Sequence, residues 1–476
     1  MNYNYLNQEE IKNIFEKQRS YAAELKKTGV KKRKAKLQSV LEYLSQNEIQ
    51  KEIIQAIWED MRRHEAEAYG AEIVAVIGAL KHLKRNLDSW LKPKKVPTPL
   101  PFLGTKSYIM YEPKGSALII SPWNYPVQLS IVPMLYAIAA GNTVIIKPSE
   151  FTPASNAVVK KLVSTLFNEK EVAVVEGAVK ETTSLLSMPF DHIYFTGSTA
   201  VGKIVMEAAA KNLSSVTLEL GGKSPCIVDE SADIKTSVQR IAWAKLYNAG
   251  QTCISVDHLF VHESIVDPFV RELVTILEKV CPSSQADGGK RDVQGRLITE
   301  KHYLRSKALL QDAVDKGARV LFGGVTDDTD RYMEPVILDQ ITLDMKIMQD
   351  EIFCPILPVI PYSDPEEVVR DIRRRPKPLS MYIFSNNKKN IQYFLSNTTA
   401  GGGMINDTLI HLTHNYLPFG GVNQSGLGKT NGFYGLMEFM NERGIMEQKL
   451  GLTRNLLPPY GKKTMQTLRI IEKYLL

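Results

Sequence analysis

The sequence predicts an α/β protein built around a doubly wound, mostly parallel sheet, and three observations predict it. From about residue 113 onward short β-branched runs alternate with helical stretches, the runs are almost wholly apolar, and glycine-rich turns follow several of them. Helices cover both faces of a parallel sheet, so its strands carry no polar side. The size agrees. A chain of 476 residues, 44% hydrophobic and 23% charged, fits two or three globular domains and excludes disordered, collagen-like, mucin-like and coiled-coil chains.

The elements follow in order. The first ninety residues have a helical pattern, with Ile11, Ile14 and Phe15, then Leu37, Val40, Leu41 and Leu44, then Ile54, Ile57 and Met61 at three- and four-residue spacing. The basic run from Val30 to Lys36 lies between two of these helices. It reads as a solvated helix start, since no aromatic stacking platform accompanies it. The Pro- and Lys-rich crossing Leu91 to Pro97 ends this arm. Strands are then expected at Ser116–Ser121, Thr143–Lys147, Val172–Glu176, His192–Phe195 and Val216–Leu220, with helices between them. A second series follows: a helix near Ile234–Asn248, a strand Leu259–His262, a helix from Asp267, strands Arg319–Phe322 and Leu357–Ile360, a helix from Pro365 and a strand Leu379–Phe384. The run Gly401-Gly402-Gly403 is expected to break that series, and residues 400–446 to return across the first two lobes. There is no internal repeat or low-complexity segment.

Charge and cysteine usage narrow the function. Lys and Arg number 59 against 52 Asp and Glu, a net charge of +7, too modest for a nucleic-acid binder of this length. The four cysteines, Cys226, Cys253, Cys281 and Cys354, form no C-x-x-C pair, which argues against disulfides and structural zinc and for a reducing compartment, expected to be the cytoplasm. The polar, helix-patterned N-terminus has no secretory pattern. The longest apolar stretch, Gly115 to Lys147, is interrupted by Asn124, Gln128, Asn142 and three prolines, so no integral membrane segment is expected.

Five segments can carry chemistry. Cys253 follows Asn248-Ala249-Gly250-Gln251-Thr252, where a glycine-led loop can expose a sulfur nucleophile and aim backbone N–H groups at it; a buried small hydrophobe is the other reading. Glu219, with Leu220, Gly221 and Gly222 behind it, ends a strand, the edge where open α/β sheets place their sites. A desolvated carboxyl there suits a general base, and a capping or salt-bridging glutamate is the alternative. The turn Thr196-Gly197-Ser198-Thr199-Ala200-Val201-Gly202-Lys203 leads from a strand into a helix, a phosphate cradle of backbone N–H groups. Its spacing also fits a P-loop, but Ile204 stands where that motif needs Ser or Thr for magnesium. Lys147 and Glu150 at a strand end can bond the two hydroxyls of a ribose. Asn124, in Ser121-Pro122-Trp123-Asn124-Tyr125-Pro126, is held stiffly enough to be an oxyanion donor. Glu351 with Phe353, and the run Leu417 to Gly426, add polar and aromatic groups in turn-rich sequence.

In combination these segments resemble the NAD(P)-dependent aldehyde dehydrogenase superfamily, in order, from about Lys106 to Gly444. SPWNYP, KPSE, FTGSTAVGK, ELGGKSP, GQTC, EIFCP and PFGGVNQSG carry the likeness. The short helical arm, the loop GQTCIS and the Pro458-Pro459-Tyr460 tail are similar to the class 3-like branch of fatty and aromatic aldehyde dehydrogenases. The resemblance implies an aldehyde dehydrogenase-like fold: a Rossmann-type cofactor domain at 1–92 and 113–219, an α/β catalytic domain at 220–398, and a bridging and oligomerisation arm at 93–112 and 399–476. It implies Cys253 as nucleophile, Asn124 with the Cys253 N–H as oxyanion hole, and Glu219 as the base for hydrolysis of a thioester. For NAD, with NADP possible, it implies Ser121, Trp123, Lys147, Glu150, Thr196, Gly197, Ser198, Gly202, Leu220, Gly221, Glu351 and Phe353. It implies no metal, and His411 with His414 is not expected to be a metal pair. It also implies an aldehyde substrate and a homodimer. Cys354 departs from the family's usual glycine, so its side chain either shifts the cofactor or points away from it. An acylating relative that hands the thioester to coenzyme A or phosphate is the alternative enzyme, disfavoured by Glu219. A noncatalytic nucleotide binder and a P-loop NTPase stand behind it. The C-terminal segment from Leu468 to Leu476 is too short and charged to span a bilayer.

Overall fold

A computed structural model describes residues 5–281, 294–449 and 456–474. The first sheet has six strands in the order Gly426–Leu427, Ser215–Glu219, His192–Thr196, Ser116–Ile120, Thr143–Lys147 and Val172–Val174. All pair in parallel except the first, which runs antiparallel to Ser215–Glu219. From Ser116–Ile120 the chain winds one way to Thr143–Lys147 and Val172–Val174, then returns to the other side at His192–Thr196. The switch point therefore lies between Ser116–Ile120 and His192–Thr196, and a crevice opens beyond their carboxyl ends, at Ser121 and Thr196.

The second sheet has seven strands, ordered Arg319–Phe322, Val336–Asp339, Ile356–Tyr362, His258–His262, Pro225–Val228, Ser380–Phe384 and Gly402–Ile405. Only Arg319–Phe322 pairs antiparallel. Residues 220–224 link the sheets covalently, so carboxyl ends of the first sheet face amino ends of the second. The cleft lies between them. A third sheet of Lys94–Lys95, Thr105–Pro113 and Met440–Gln448 forms an arm, the last two pairing over nine residues.

Four helices longer than one turn, Gln8–Lys26, Val30–Leu44, Asn47–Met61 and Ala75–Trp90, make the N-terminal arm. Their apolar stripes enter the cores of the first sheet: Leu37, Val40, Ile57 and Met61 lie with Ile119, Val144 and Ile146 on one face, and Ile11, Ile14 and Phe15 with Leu118 and Ile145 on the other.

Three sequence expectations change. The basic run is not wholly solvated, because Arg33 is buried and donates to the Ala139 and Ala140 carbonyls, satisfying the C-terminus of helix Gln128–Ala140. The glycine run does not break the second sheet. Gly402–Ile405 extends it beside Ser380–Phe384, where a Cβ on Gly403 would lie 2.7 Å from the Met381 carbonyl oxygen. The helix expected to reach Asn248 stops at Leu246, and the chain then turns through Tyr247–Gly250. Of the terminal segment, Leu475 and Leu476 lie outside the described residues.

Candidate active site

The loop bearing Cys253 begins with three successive left-handed residues, Asn248 (φ 51°), Ala249 (φ 54°) and Gly250 (φ 72°). Two non-glycine residues in that region are strained and persist only where surroundings fix them. Here they are fixed. Gln251 donates to the Asn248 carbonyl at 3.1 Å and the Arg296 carbonyl at 3.0 Å, while its Oε1 accepts from the Ile298 N–H at 3.1 Å. Asn124 Nδ2 donates to the Gln251 carbonyl at 3.0 Å, and Asn248 Nδ2 donates to the Asn124 carbonyl at 3.0 Å. The segment holding Asn124 and the loop holding Cys253 are thereby one hydrogen-bonded unit.

Beneath Asn124 lies Arg63, fully buried, donating to the Asn124 carbonyl at 3.1 Å and paired with Glu72, also fully buried. Glu72 in turn accepts from the Val127 and Gln128 N–H groups at 3.2 and 2.7 Å, the dipole-positive start of helix Gln128–Ala140. The N-terminal arm thus reaches the cleft through the Arg63–Glu72 pair and through Glu67, whose carboxylate accepts from the Asn248 N–H at 3.0 Å.

Glu219 reaches the same cleft from the first sheet, 5% exposed, and neither carboxylate oxygen has a hydrogen-bond partner among the described residues. Burial pushes its pKa well above the ordinary carboxylate value, Lys429 pulls it down and Glu438 pushes it up. Cys253 is half-buried by exposed surface, yet burial and then the carboxylates of Glu351 and Glu219 raise its thiol above the usual range. Both effects disfavour the thiolate, and a positive charge seated beside the sulfur is what a thiolate requires.

The expected cofactor residues gather along the switch-point crevice. Lys147, buried at the end of its strand, donates to Glu150 at 3.2 Å. Ser121 shares a hydrogen bond of 2.7 Å with Ser130. Thr196 Oγ1 is buried without a partner among the described residues, the Gly197 N–H donates to the Glu219 carbonyl at 3.0 Å, and Ser198 caps helix Thr199–Ala210. Gly202 has a packing reason of its own, since a Cβ there would lie 2.6 Å from Leu220 Cδ2. Leu220 is buried, with its N–H donating to the Ser425 carbonyl at 3.1 Å. A Cβ on Gly221 would strike the Glu351 carboxylate, which burial pushes up to about 8. Phe353 (φ 52°) faces Trp123, ring centres 5.6 Å apart. An orphaned hydroxyl, a glycine cradle and a lysine–glutamate pair along one crevice fit a dinucleotide.

Cys354 is fully buried in the core with Ile352 and Ile356, so its side chain points away from the cleft. His411 donates or accepts at Ser380 Oγ, 3.2 Å away, beside the rings of Tyr382 and Phe419. No group of three metal-ligating side chains occurs among the described residues.

The sequence assigns no role to several residues of the site, Lys223 within ELGGKSP among them. Arg63 and Glu72 are indistinguishable there from helix-surface charges. Lys223 donates to Asp257 at 2.6 Å and to the Ile347 and Asp350 carbonyls at 2.8 and 2.9 Å, while Asp257 accepts from the Ile352 N–H at 2.9 Å. This buried pair orients the loop bearing Glu351 and Phe353. His302 lies 5.2 Å from Trp123, ring to ring, and only its place in a three-aromatic corner reveals it.

The family profile described as "Aldehyde dehydrogenase family" matches residues 1–445. A 4,4'-diaponeurosporen-aldehyde dehydrogenase of Staphylococcus aureus is 44% identical over 87% of this chain and 89% of its own length. Aldehyde dehydrogenase family 3 member A2 of Macaca fascicularis is 40% identical over 85% and 81%. The solved structure entitled "Substrate bound state of Staphylococcus Aureus AldH" superposes with a TM-score of 0.92 at 40% identity, covering 97% of this chain and 99% of that one. A profile spanning nearly the whole chain, relatives that share its length and a superposable fold all lead to one conclusion: the chain belongs to the aldehyde dehydrogenase family and is class 3-like within it.

Proposed function

We propose that this enzyme oxidises an aldehyde to its carboxylic acid by covalent catalysis at Cys253, with water as the final acyl acceptor. Aldehyde oxidation is the activity of its family. The observation that carries it is the convergence of the Cys253 loop, the Asn124 amide and the unpartnered Glu219 carboxylate in one cleft.

An aldehyde has no alkoxide from which hydride can depart, and addition of sulfur creates one. The Cys253 S–H proton passes to water as Sγ bonds to the carbonyl carbon, the carbonyl π pair moves to oxygen, and the oxygen that becomes negative is met by Asn124 Nδ2 and the Cys253 N–H. Each such donor contributes about 10²–10³ in rate. When bound, NAD or NADP supplies the hydride acceptor and a positive ring charge that offsets the carboxylates facing the sulfur. Family members solved with NAD and with NADP support either, and Glu150 disfavours a 2′-phosphate without forbidding it. The Cys253 thioester then remains. Glu219 takes a proton from water, the resulting hydroxide attacks the thioester carbon, and the C–S bond breaks to give acid and thiolate.

Free Cys226, Cys253, Cys281 and Cys354 support a reducing, cytoplasmic setting, and no helix among the described residues is long and apolar enough to cross a membrane. The exposed outer strand Met440–Gln448 of the arm supports a homodimer formed through that edge.

The test is cofactor reduction over short, long and aromatic aldehydes, with NAD and NADP, in wild type, Cys253→Ala and Glu219→Gln. Loss of all turnover in Cys253→Ala, and one rapid equivalent of reduced cofactor with stalled release in Glu219→Gln, is expected. Wild-type turnover that requires coenzyme A or phosphate would overturn the hydrolytic reading.

A further inference from the structure

The turn that presents Cys253 is held by side chains from both lobes. The Ser255 N–H donates to the Thr252 carbonyl at 2.9 Å, which makes Cys253 and Ile254 the central residues of a β-turn. The Thr252 carbonyl and the Cys253 N–H belong to one planar peptide unit. Whatever fixes this turn therefore fixes the direction of the N–H that is to meet the oxyanion, and with it the Cβ that carries the sulfur.

Two tyrosine hydroxyls reach the turn. Tyr125, the residue after Asn124, shares a hydrogen bond of 2.6 Å with Thr252 Oγ1. Its ring is stacked on Tyr247, centres 6.5 Å apart, and the Arg63 guanidinium lies 4.9 Å from its centre. Tyr382 comes from the second sheet, in the middle of strand Ser380–Phe384, and donates to the Ile254 carbonyl at 2.6 Å. Ser255 Oγ adds a bond to the Ala244 carbonyl at 3.3 Å. Tyr125, Thr252, Ile254 and Tyr382 are all buried. A buried carbonyl ordinarily has a donor, and Tyr382 supplies one to Ile254. Strands buried on both faces of a parallel sheet are ordinarily apolar, so a hydroxyl in the middle of this one stands out. In each case the hydroxyl bonds the turn, and phenylalanine would keep the ring without the bond.

We infer that Tyr125 and Tyr382 are positioning residues for the nucleophile: their hydroxyls, one from each lobe, hold the Thr252–Ser255 turn so that the Cys253 sulfur and N–H stay aimed at the aldehyde carbonyl. The inference rests on Cys253 as the nucleophile, proposed above. Tyr125 also ties the turn to the oxyanion amide, because Asn124 Nδ2 donates to the Gln251 carbonyl at 3.0 Å and Tyr125 bonds the residue after Gln251. Sulfur, N–H and amide thereby keep one geometry while the cleft fills. Both tyrosines act through the turn and touch no reacting atom. A shift of about 1 Å at the reacting atoms costs on the order of a hundredfold in rate, so loss of either bond should be felt at the chemical step.

The experiment is rapid-mixing cofactor reduction in the full chain carrying Glu219→Gln, where one reduced cofactor per subunit accumulates, with Tyr125→Phe, Tyr382→Phe, the two together and Thr252→Val each built on that reference. Each single variant should keep the amplitude, and bind cofactor within about twofold of the reference, while forming reduced cofactor about ten- to a hundredfold more slowly. The double variant should lose less than the product of the two single losses, because both hydroxyls hold one turn. Rates within about twofold of the reference in both tyrosine variants would overturn the inference. So would an amplitude that falls while the remaining sites react at the reference rate, since that is loss of folded enzyme and not of aim. Thr252→Val removes the Tyr125 bond from its other end and should reproduce Tyr125→Phe; a reference rate there beside a slow Tyr125→Phe would show that Tyr125 does not act through the turn. Should Glu219→Gln by itself turn over like wild type, the choice of base fails, and the same rates are read from single turnovers with enzyme in excess of aldehyde. Turnover in Cys253→Ala would remove the nucleophile, and the positioning role with it.

Discussion

Around Cys253 the amide groups are bonded to one another, whereas the Glu219 carboxylate has no hydrogen bond among the described residues. Asn124, Gln251 and Asn248 exchange amide hydrogen bonds across two chain segments, leaving Asn248 Oδ1 unpartnered, and the buried Arg63–Glu72 pair braces them from below. The Glu219 carboxylate, in the same cleft, has no hydrogen bond to either oxygen among the described residues, and Thr196 next to it has none. The difference follows from what each side must do. An oxyanion hole works by donors already in place before charge develops, so fixed geometry is an advantage. A general base has to change protonation state each cycle, and bonds that pinned its ionised form would lower its affinity for the proton it must accept.

Four substitutions break or sharpen that contrast. The largest effect is expected where the paired side is undermined: Arg63→Ala leaves Glu72 buried and uncompensated, and loss of about 3–5 kcal/mol of stability should appear in denaturant unfolding. Unfolding like wild type would show that the brace is dispensable. Next, Asn124→Ala should lower kcat by about 10²–10³ with cofactor affinity retained; an equal loss of cofactor binding would mean that the amide is holding the fold and not the oxyanion.

The unpaired side should respond in the opposite direction. Glu219→Gln removes a carboxyl whose folded pKa lies above its ordinary 4.5. A raised carboxyl favours the folded state below its unfolded pKa, and that contribution is lost as pH rises through the folded value. The variant should therefore melt higher than wild type at alkaline pH, with the gain shrinking toward pH about 4.5. A variant that melts lower at every pH would show that Glu219 is bonded after all. The smallest effect belongs to Glu67, which accepts from the Asn248 N–H at 3.0 Å and is pushed by burial up to about 7. Removing it by Glu67→Gln should abolish a fall in stability between pH about 4.5 and 7, seen as a flatter melting profile across that window. A profile parallel to that of wild type would dismiss the contact.

Legibility differed by residue in the same physical sense. Glu219, Cys253 and Lys147 stand at strand ends or glycine turns, where local sequence fixes the backbone, and the resemblance covers them as motifs. The Gly401-Gly402-Gly403 run looks like a break because glycine lowers strand propensity. Gly402 and Gly403 instead begin a strand, and at Gly403 the neighbouring Met381 backbone approaches too closely for a Cβ. Arg33 looks solvated within a basic run, and only the arrival of helix Gln128–Ala140 supplies the carbonyls that bury it. The sequence left two orientations open for Cys354, and the packing of Ile352 and Ile356 around the sulfur selects the one away from the cofactor cleft.

By itself the sequence determined the alternation of strands and helices, the order of the motifs, and which residue types were available for nucleophile, base and oxyanion donor, because periodicity and turn chemistry act over a few neighbouring residues. Tertiary structure alone decided that Arg63 braces Asn124, that Lys223 and Asp257 hold the Glu351 loop, and that the Glu219 carboxylate stays unpaired among the described residues while Thr217 on the same strand donates to Glu438. Those contacts join segments dozens to hundreds of residues apart. Their partners are set by how the helical arm and the ends of the two sheets come together, which no local pattern encodes.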